Sequence, residues 1–182
     1  VHEGKVWRAN ETTLTALVLA VPTTTAAFSL WNGEAEGGKS YIILASYGIA
    51  GGTPAGLSSW GLVHQVSDLA TGTAAPTAEL ATETVVVNLK GNKGLYGGAA
   101  IIDLALTVTD DRWAPIGGSV NPSIVILTGT QIYVPLRPVV EVQPNAVYSL
   151  EGVAAAVDVT ARLGCVWAEL EKEEYEEALG IK

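Results

Sequence analysis

Short runs of valine, isoleucine, threonine and aromatic residues, each closed by Gly, Pro, Asn or Asp, recur along the chain and constrain its fold more than any other feature. β-branched and aromatic side chains suit a pleated strand, and the closing residues tolerate turn geometry. Candidate strands run from Thr15 to Val21, Ala27 to Trp31, Tyr41 to Ala50, Gly61 to Ser67 and Thr84 to Leu89. Further ones run from Ile101 to Val108, Ser123 to Leu127, Gln131 to Val134, Val147 to Ala154 and Arg162 to Leu170. Helix-period stretches are nearly absent, so this train predicts an all-β, antiparallel β-sandwich with jelly-roll-like order.

The clearest local signal is the stretch from Ala27 to Ser46, which reads as a strand, the polar turn Gly33-Glu34-Ala35-Glu36-Gly37-Gly38, and a second strand forming a hairpin. Turn residues at Gly51-Gly52-Thr53-Pro54, Gly91-Asn92-Lys93-Gly94 and Gly117-Gly118 divide the rest. Pro135 and Pro138 each remove a ladder donor, which places the segment Val134 to Val139 at a sheet edge or in a crossover. No repeat of fixed period is present, which argues against a solenoid or propeller.

A chain of 182 residues suits one domain. We expect an N-terminal arm over residues 1–12, a sandwich over 13–170 and an acidic tail over 171–182. In that tail Tyr175 and Leu179 have i, i+4 spacing on a short helix closed by Gly180. Hydrophobic residues make up 48% and charged ones 16%, enough to fill a large core and leave apolar surface for partners. The net charge of −9 opposes binding to nucleic-acid phosphates, and Lys5 and Arg8, beside Glu3 and Glu11, make no polybasic arm for anionic lipid. No signal peptide or membrane span is read in the chain. Cys165 is the only cysteine, so no intrachain disulfide forms.

Chemistry is sparse. A metal-binding jelly roll needs several histidines and a carboxylate around one ion, whereas the chain has only His2 and His64, the latter read as a hydrogen-bonded structural residue. No G-x-S-x-G motif occurs, and Cys165 lies within the apolar run Leu163-Gly164-Cys165-Val166-Trp167, which predicts burial. Asp103, Asp110, Asp111 and Asp158 supply carboxylates for a glycosidase pair, although sequence spacing does not set their separation. The glycine-rich segments match no phosphate-binding loop and read as turns. Among the tryptophans, Trp60 and Trp113 border loops and are the candidates for stacking on a glycan. Val6, Trp7, Trp31, Tyr41, Tyr175 and Leu179 are the candidate subunit-interface residues.

Phe28-Ser29-Leu30-Trp31-Asn32 with Tyr41-Ile42-Ile43-Leu44, the segment Gln143 to Ala154, and Cys165-Val166-Trp167-Ala168-Glu169-Leu170 give the chain a family likeness. It resembles small β-sandwich virion structural proteins of tailed bacteriophages, of the head-decoration or minor-capsid type. The acidic loop after Trp31-Asn32 and the acidic C-terminal extension depart from that pattern, and the middle of the chain is unmatched. The resemblance implies a non-enzymatic capsid decoration or cement protein on the outer capsid surface, without cofactors. Its partners would be copies of itself, as a homotrimer, and the capsid lattice, with neither nucleic acid nor membrane. The alternatives are a glycan- or receptor-binding jelly-roll module, then a major shell protein or a hydrolase.

Overall fold

Strands that are apolar on both faces must be covered on both, and this chain solves the problem with two main sheets and thin outer layers. We describe residues 5–21, 24–51, 58–68, 76–78, 85–89, 96–108, 112–121, 131–155 and 159–178 of a computed structural model. In chain order the strands are β1 (Val6–Asn10), β2 (Thr15–Ala16), β3 (Thr25–Ala26), β4 (Phe28–Asn32), β5 (Ser40–Gly51), β6 (Ser58–Asp68) and β7 (Val87–Asn88). They continue as β8 (Ala100–Asp103), β9 (Leu106–Thr107), β10 (Ala114–Asn121), β11 (Gln131–Val142), β12 (Ala146–Ala154) and β13 (Thr160–Leu170), followed by helix α1 (Lys172–Ala178).

One sheet has the order β11-β5-β13-β1-β7, with β2 also on β13; the other has the order β10-β6-β12-β4-β8. All the ladders are antiparallel. Successive strands cross between the sheets, from β4 to β5 to β6 and from β10 through β13, so the fold is an all-β sandwich and not a meander. Phe28, Leu30, Tyr41, Ile43, Leu62, Tyr148, Leu163 and Trp167 fill the space between the sheets. Burying each large side chain contributes about 1.5–3 kcal/mol.

Residues pointing the other way are buried too. Val6, Ile42, Ala45, Val166 and Ala168 form a second cluster against which Tyr175 of α1 packs. Ala26, Leu106, Val108 and Val147 form a third, at the small β3–β9 ladder, joined by Trp31 and Trp113. α1 has Glu173 and Glu174 in its first turn, where the helix dipole favours negative charge. Glu174 also accepts a hydrogen bond from the Glu171 amide at 3.1 Å.

Several expectations are corrected here. The two strands between Ala27 and Ser46 form, but not as a hairpin: β4 pairs with β12 and β8 in one sheet, while β5 pairs with β13 and β11 in the other. Their connection spans the sandwich. Residues 5–10 are not part of an arm, because β1 is an interior strand zipped to β13 from Val6 opposite Ala168 to Asn10 opposite Gly164. A Cβ on Gly164 would sit 2.4 Å from the Ala9 carbonyl oxygen, so glycine there permits the close pairing. The run from Thr15 to Val21 gives only β2 and an isolated bridge from Val18 to Val153 in the opposite sheet.

The run from Ile101 to Val108 divides into β8 and β9, and the described part of that from Thr84 to Leu89, residues 85–89, contributes β7. Strand β10, which holds Pro115, Gly117 and Gly118, is not among the expected strands because Gly117-Gly118 reads as a turn. At a sheet edge a missing proline donor costs no ladder bond, and the register shifts between Pro115 and Gly117. The Val134 to Val139 segment lies within edge strand β11, as expected, with its own register shift and a cis Arg137-Pro138 peptide. The strand expected from Ser123 to Leu127 lies outside the described residues.

Candidate binding groove

Asn32, the last residue of β4, is completely buried and organises one end of the sandwich. Its Nδ2 donates to the carbonyls of Lys39 at 2.8 Å and Val142 at 2.9 Å, and its Oδ1 accepts from the Glu34 amide at 3.1 Å. Its own carbonyl accepts from the Asn145 amide at 2.7 Å. One residue therefore ties the 33–39 loop to the end of β11 and to the 143–145 turn. The turn chemistry is local: Gly37 has φ 82° and Asn145 φ 66°, the left-handed region those residue types tolerate best. A Cβ on Gly33 would meet the Ala99 carbonyl oxygen at 2.4 Å.

Between that loop, that turn and α1 lies a groove of about 920 Å³. Trp31 and Tyr175 contribute its aromatic surface, Glu34, Glu36, Glu141 and Glu176 its carboxylates, and Ser40, Gln143, Asn145 and Lys172 further polar groups. Glu141 is held in place, accepting from Ser40 Oγ at 2.8 Å and from the Tyr175 hydroxyl. Lys172 and Glu176 pair at 3.9 Å along α1.

Glu11, Glu151 and Glu169 are buried carboxyls that serve the framework. Glu11 accepts from Thr15 Oγ1 at 2.9 Å and from the Leu163 amide at 2.7 Å; Glu151 accepts from the amides of Ala27 at 3.0 Å and Gly152 at 2.8 Å. Loss of water raises both from the usual carboxyl range to about 7, and the charge of Glu11 adds to the rise at Glu151. Glu169 is raised by burial as well, while hydrogen bonds from Tyr96, at 2.5 Å, and from Trp167 Nε1, at 3.3 Å, oppose the rise. Tyr41 and Tyr96, 3.4 Å apart at their hydroxyls, extend this network into the core.

The candidate residues are not gathered into one site. Tyr41 is fully buried and Val6 nearly so, which makes both core residues and corrects their assignment to a subunit interface. Trp7 is half-buried, edge-on to Tyr96 at 5.0 Å. Trp31 and Tyr175 are half-buried and both line the groove; Leu179 lies outside the described residues. Trp60 is corrected as a glycan contact, because it is only 3% exposed and its ring lies against Gly48, where a Cβ would approach it to 2.8 Å. Trp113 is half-buried against the third cluster, away from Trp60.

Cys165 is fully buried, and burial pushes its thiol well above the usual range. His64 packs edge-on to Tyr148 at 5.6 Å; its Nδ1 has no hydrogen-bond partner, and burial lowers its pKa. Asp103 accepts from the amides of Thr77 at 2.8 Å and Ala105 at 3.0 Å, a turn-stabilising arrangement. His2, Asp110, Asp111 and Asp158 lie outside the described residues. Among the described residues no group of three or more His, Cys, Asp or Glu is placed to hold a metal ion, and no helix is long and apolar enough to cross a membrane.

Gln143, Asn145 and Glu141 were missed as groove residues. The only local signal was the Pro144-Asn145 turn dipeptide, which does not reveal what it faces.

At the far end of β12 the chain straps the two sheets together. The amide of Leu17 donates to the Val159 carbonyl at 3.1 Å, that of Val18 to Gly152 at 3.0 Å, and that of Ala154 back to Val18 at 2.9 Å. Leu14, Leu19 and Val21 on this strap are 45%, 57% and 40% exposed. Beside Leu19 is a shallow depression of about 480 Å³, lined by Gly61, Gly118, Ala154 and Ala155 together with Trp60 and Val153.

No protein-family model matches the chain, and no curated protein or solved structure matches it.

Proposed function

We propose that this chain is a non-enzymatic structural protein that assembles as a symmetric homotrimer and attaches as a decoration or cement component to the outer surface of a viral capsid. The observation that carries this reading is the strap, where three large aliphatic side chains, Leu14, Leu19 and Val21, stand in solvent and Leu19 borders a shallow depression. Exposed apolar groups arranged in this way favour association, since each one removed from water contributes to binding. The likeness to phage head-decoration proteins supplies the setting, and the net charge of −9 favours an external position over contact with packaged nucleic acid.

Mass measurement in solution tests the first part: the wild type should be trimeric, and Leu19→Glu with Val21→Glu should release monomers that melt like the parent subunit. A monomeric wild type, or a trimer indifferent to both substitutions, overturns assembly through this surface. Cosedimentation with capsids lacking decoration tests the second part, and failure of the trimer to bind any such particle removes the capsid assignment.

A further inference from the structure

We propose that the groove between the 33–39 loop, the 143–145 turn and α1 binds a neutral or amine-bearing oligosaccharide. This site lies at the opposite end of β12 from the strap, so the two proposals stand or fall separately. Its volume of about 920 Å³ is within the usual range for ligand sites, about 300–1,000 Å³.

The lining has the dual character that a sugar requires. Trp31 and Tyr175 offer ring surface to the C–H faces of a pyranose. Around them, the amides of Gln143 and Asn145 both donate and accept, Lys172 donates, and Glu34 and Glu36 accept. Hydroxyl groups, each both donor and acceptor, are the ligand chemistry that satisfies such a mixture. The site is also preformed. Asn32 anchors both the loop and the turn, and Glu141 is fixed by Ser40 and Tyr175 before any ligand arrives, which lowers the ordering cost of binding.

Charge sets the selectivity. Among the described residues that line the groove, four carboxylates stand against one cation, Lys172, which pairs with Glu176. Sialic and uronic acids therefore meet repulsion that neutral and amino sugars avoid.

The test uses the full chain on an array of cello-, manno- and chito-oligosaccharides, their de-N-acetylated forms, sialyllactose and uronic-acid oligomers, followed by calorimetry on any sugar retained. At least one neutral or amino series should bind and the acidic sugars should not. Gln143→Ala and Tyr175→Ala should each weaken binding about tenfold or more, equivalent to about 1.4 kcal/mol. Gln143→Ala should leave the melting temperature unchanged, whereas Tyr175 also packs on the second cluster, so its variant is compared at a temperature well below its own melt. Trp31→Ala is avoided as the main probe because Trp31 also packs on the third cluster. No binding to any neutral or amino series, equal binding of acidic sugars, or binding unaffected by both variants overturns the proposal. An oligo-arginine peptide bound in place of sugars, and lost in the same variants, refutes it in favour of a basic peptide site.

Discussion

Replacing Glu11 by glutamine should make the protein more stable at pH 8 and leave it nearly unchanged at pH 5. Glu11 is completely buried, and removal from water raises its pKa from 4.5 to about 7 against the pull of its hydrogen bonds from Leu163 and Thr15. A carboxyl with a raised folded-state pKa binds more protons in the native than in the unfolded state between the two values. Its stability contribution is thus fully present below about 4.5 and is lost as pH rises through about 7. The displacement corresponds to about 3 kcal/mol, most of it lost between pH 5 and pH 8.

Glutamine preserves the shape and both contacts: its amide oxygen can accept from the Leu163 amide, while its NH₂ group donates to Thr15 Oγ1 with the hydroxyl turned round. Removing the Glu11 charge also relaxes Glu151, which it pushes upward. His64, lowered by burial, has the opposite pH dependence, but it is common to both proteins and cancels in the comparison. Urea unfolding at pH 5 and pH 8 should give a variant about 3 kcal/mol more stable at pH 8, or roughly 6–12 °C in melting temperature. A variant less stable than wild type at pH 8, or a difference independent of pH, would show that the Leu163 amide and Thr15 hydroxyl keep Glu11 comfortably ionised and would refute the reasoning.

Two further substitutions probe the polar interior. Gln65 is 2% exposed with neither end of its amide hydrogen-bonded, so Gln65→Leu should stabilise the protein by about 1–3 kcal/mol in thermal or urea melts; a destabilised variant would reveal a partner for the amide. Asn32→Ala removes three side-chain hydrogen bonds and should cost about 3 kcal/mol while loosening the groove, visible as faster amide exchange at Glu34 and Asn145; an unchanged melt and unchanged exchange would deny Asn32 its anchoring role.

The long strands were legible because their evidence is local. Ser40–Gly51, Ala146–Ala154 and Thr160–Leu170 are each unbroken runs of residues suited to a pleated surface, and each was anticipated to within two residues at either end. Strand β1 was hidden by its polar neighbours, and β10 by its paired glycines. The groove was less visible still. Trp31 and Tyr175 were singled out separately, but the polar residues around them come from three separate segments, 34–40, 141–145 and 172–176, the first more than a hundred positions from the last. Trp60 shows the converse error: its flanking glycine and serines suggest a loop, yet the space over Gly48 receives its ring.

By itself the sequence determined an all-β chain, its main strands, a burial-prone cysteine and a short acidic helix, because strand period, turn chemistry and helix spacing act over a few residues. Only the tertiary structure decided which strands pair. Phe28–Asn32 and Ser40–Gly51 are buried on both faces, so neither carries an alternation that points to a particular sheet, and a pattern that reads as a hairpin becomes a crossover between sheets. The connection made by that crossover is the loop that Asn32 anchors, and with it the wall of the groove.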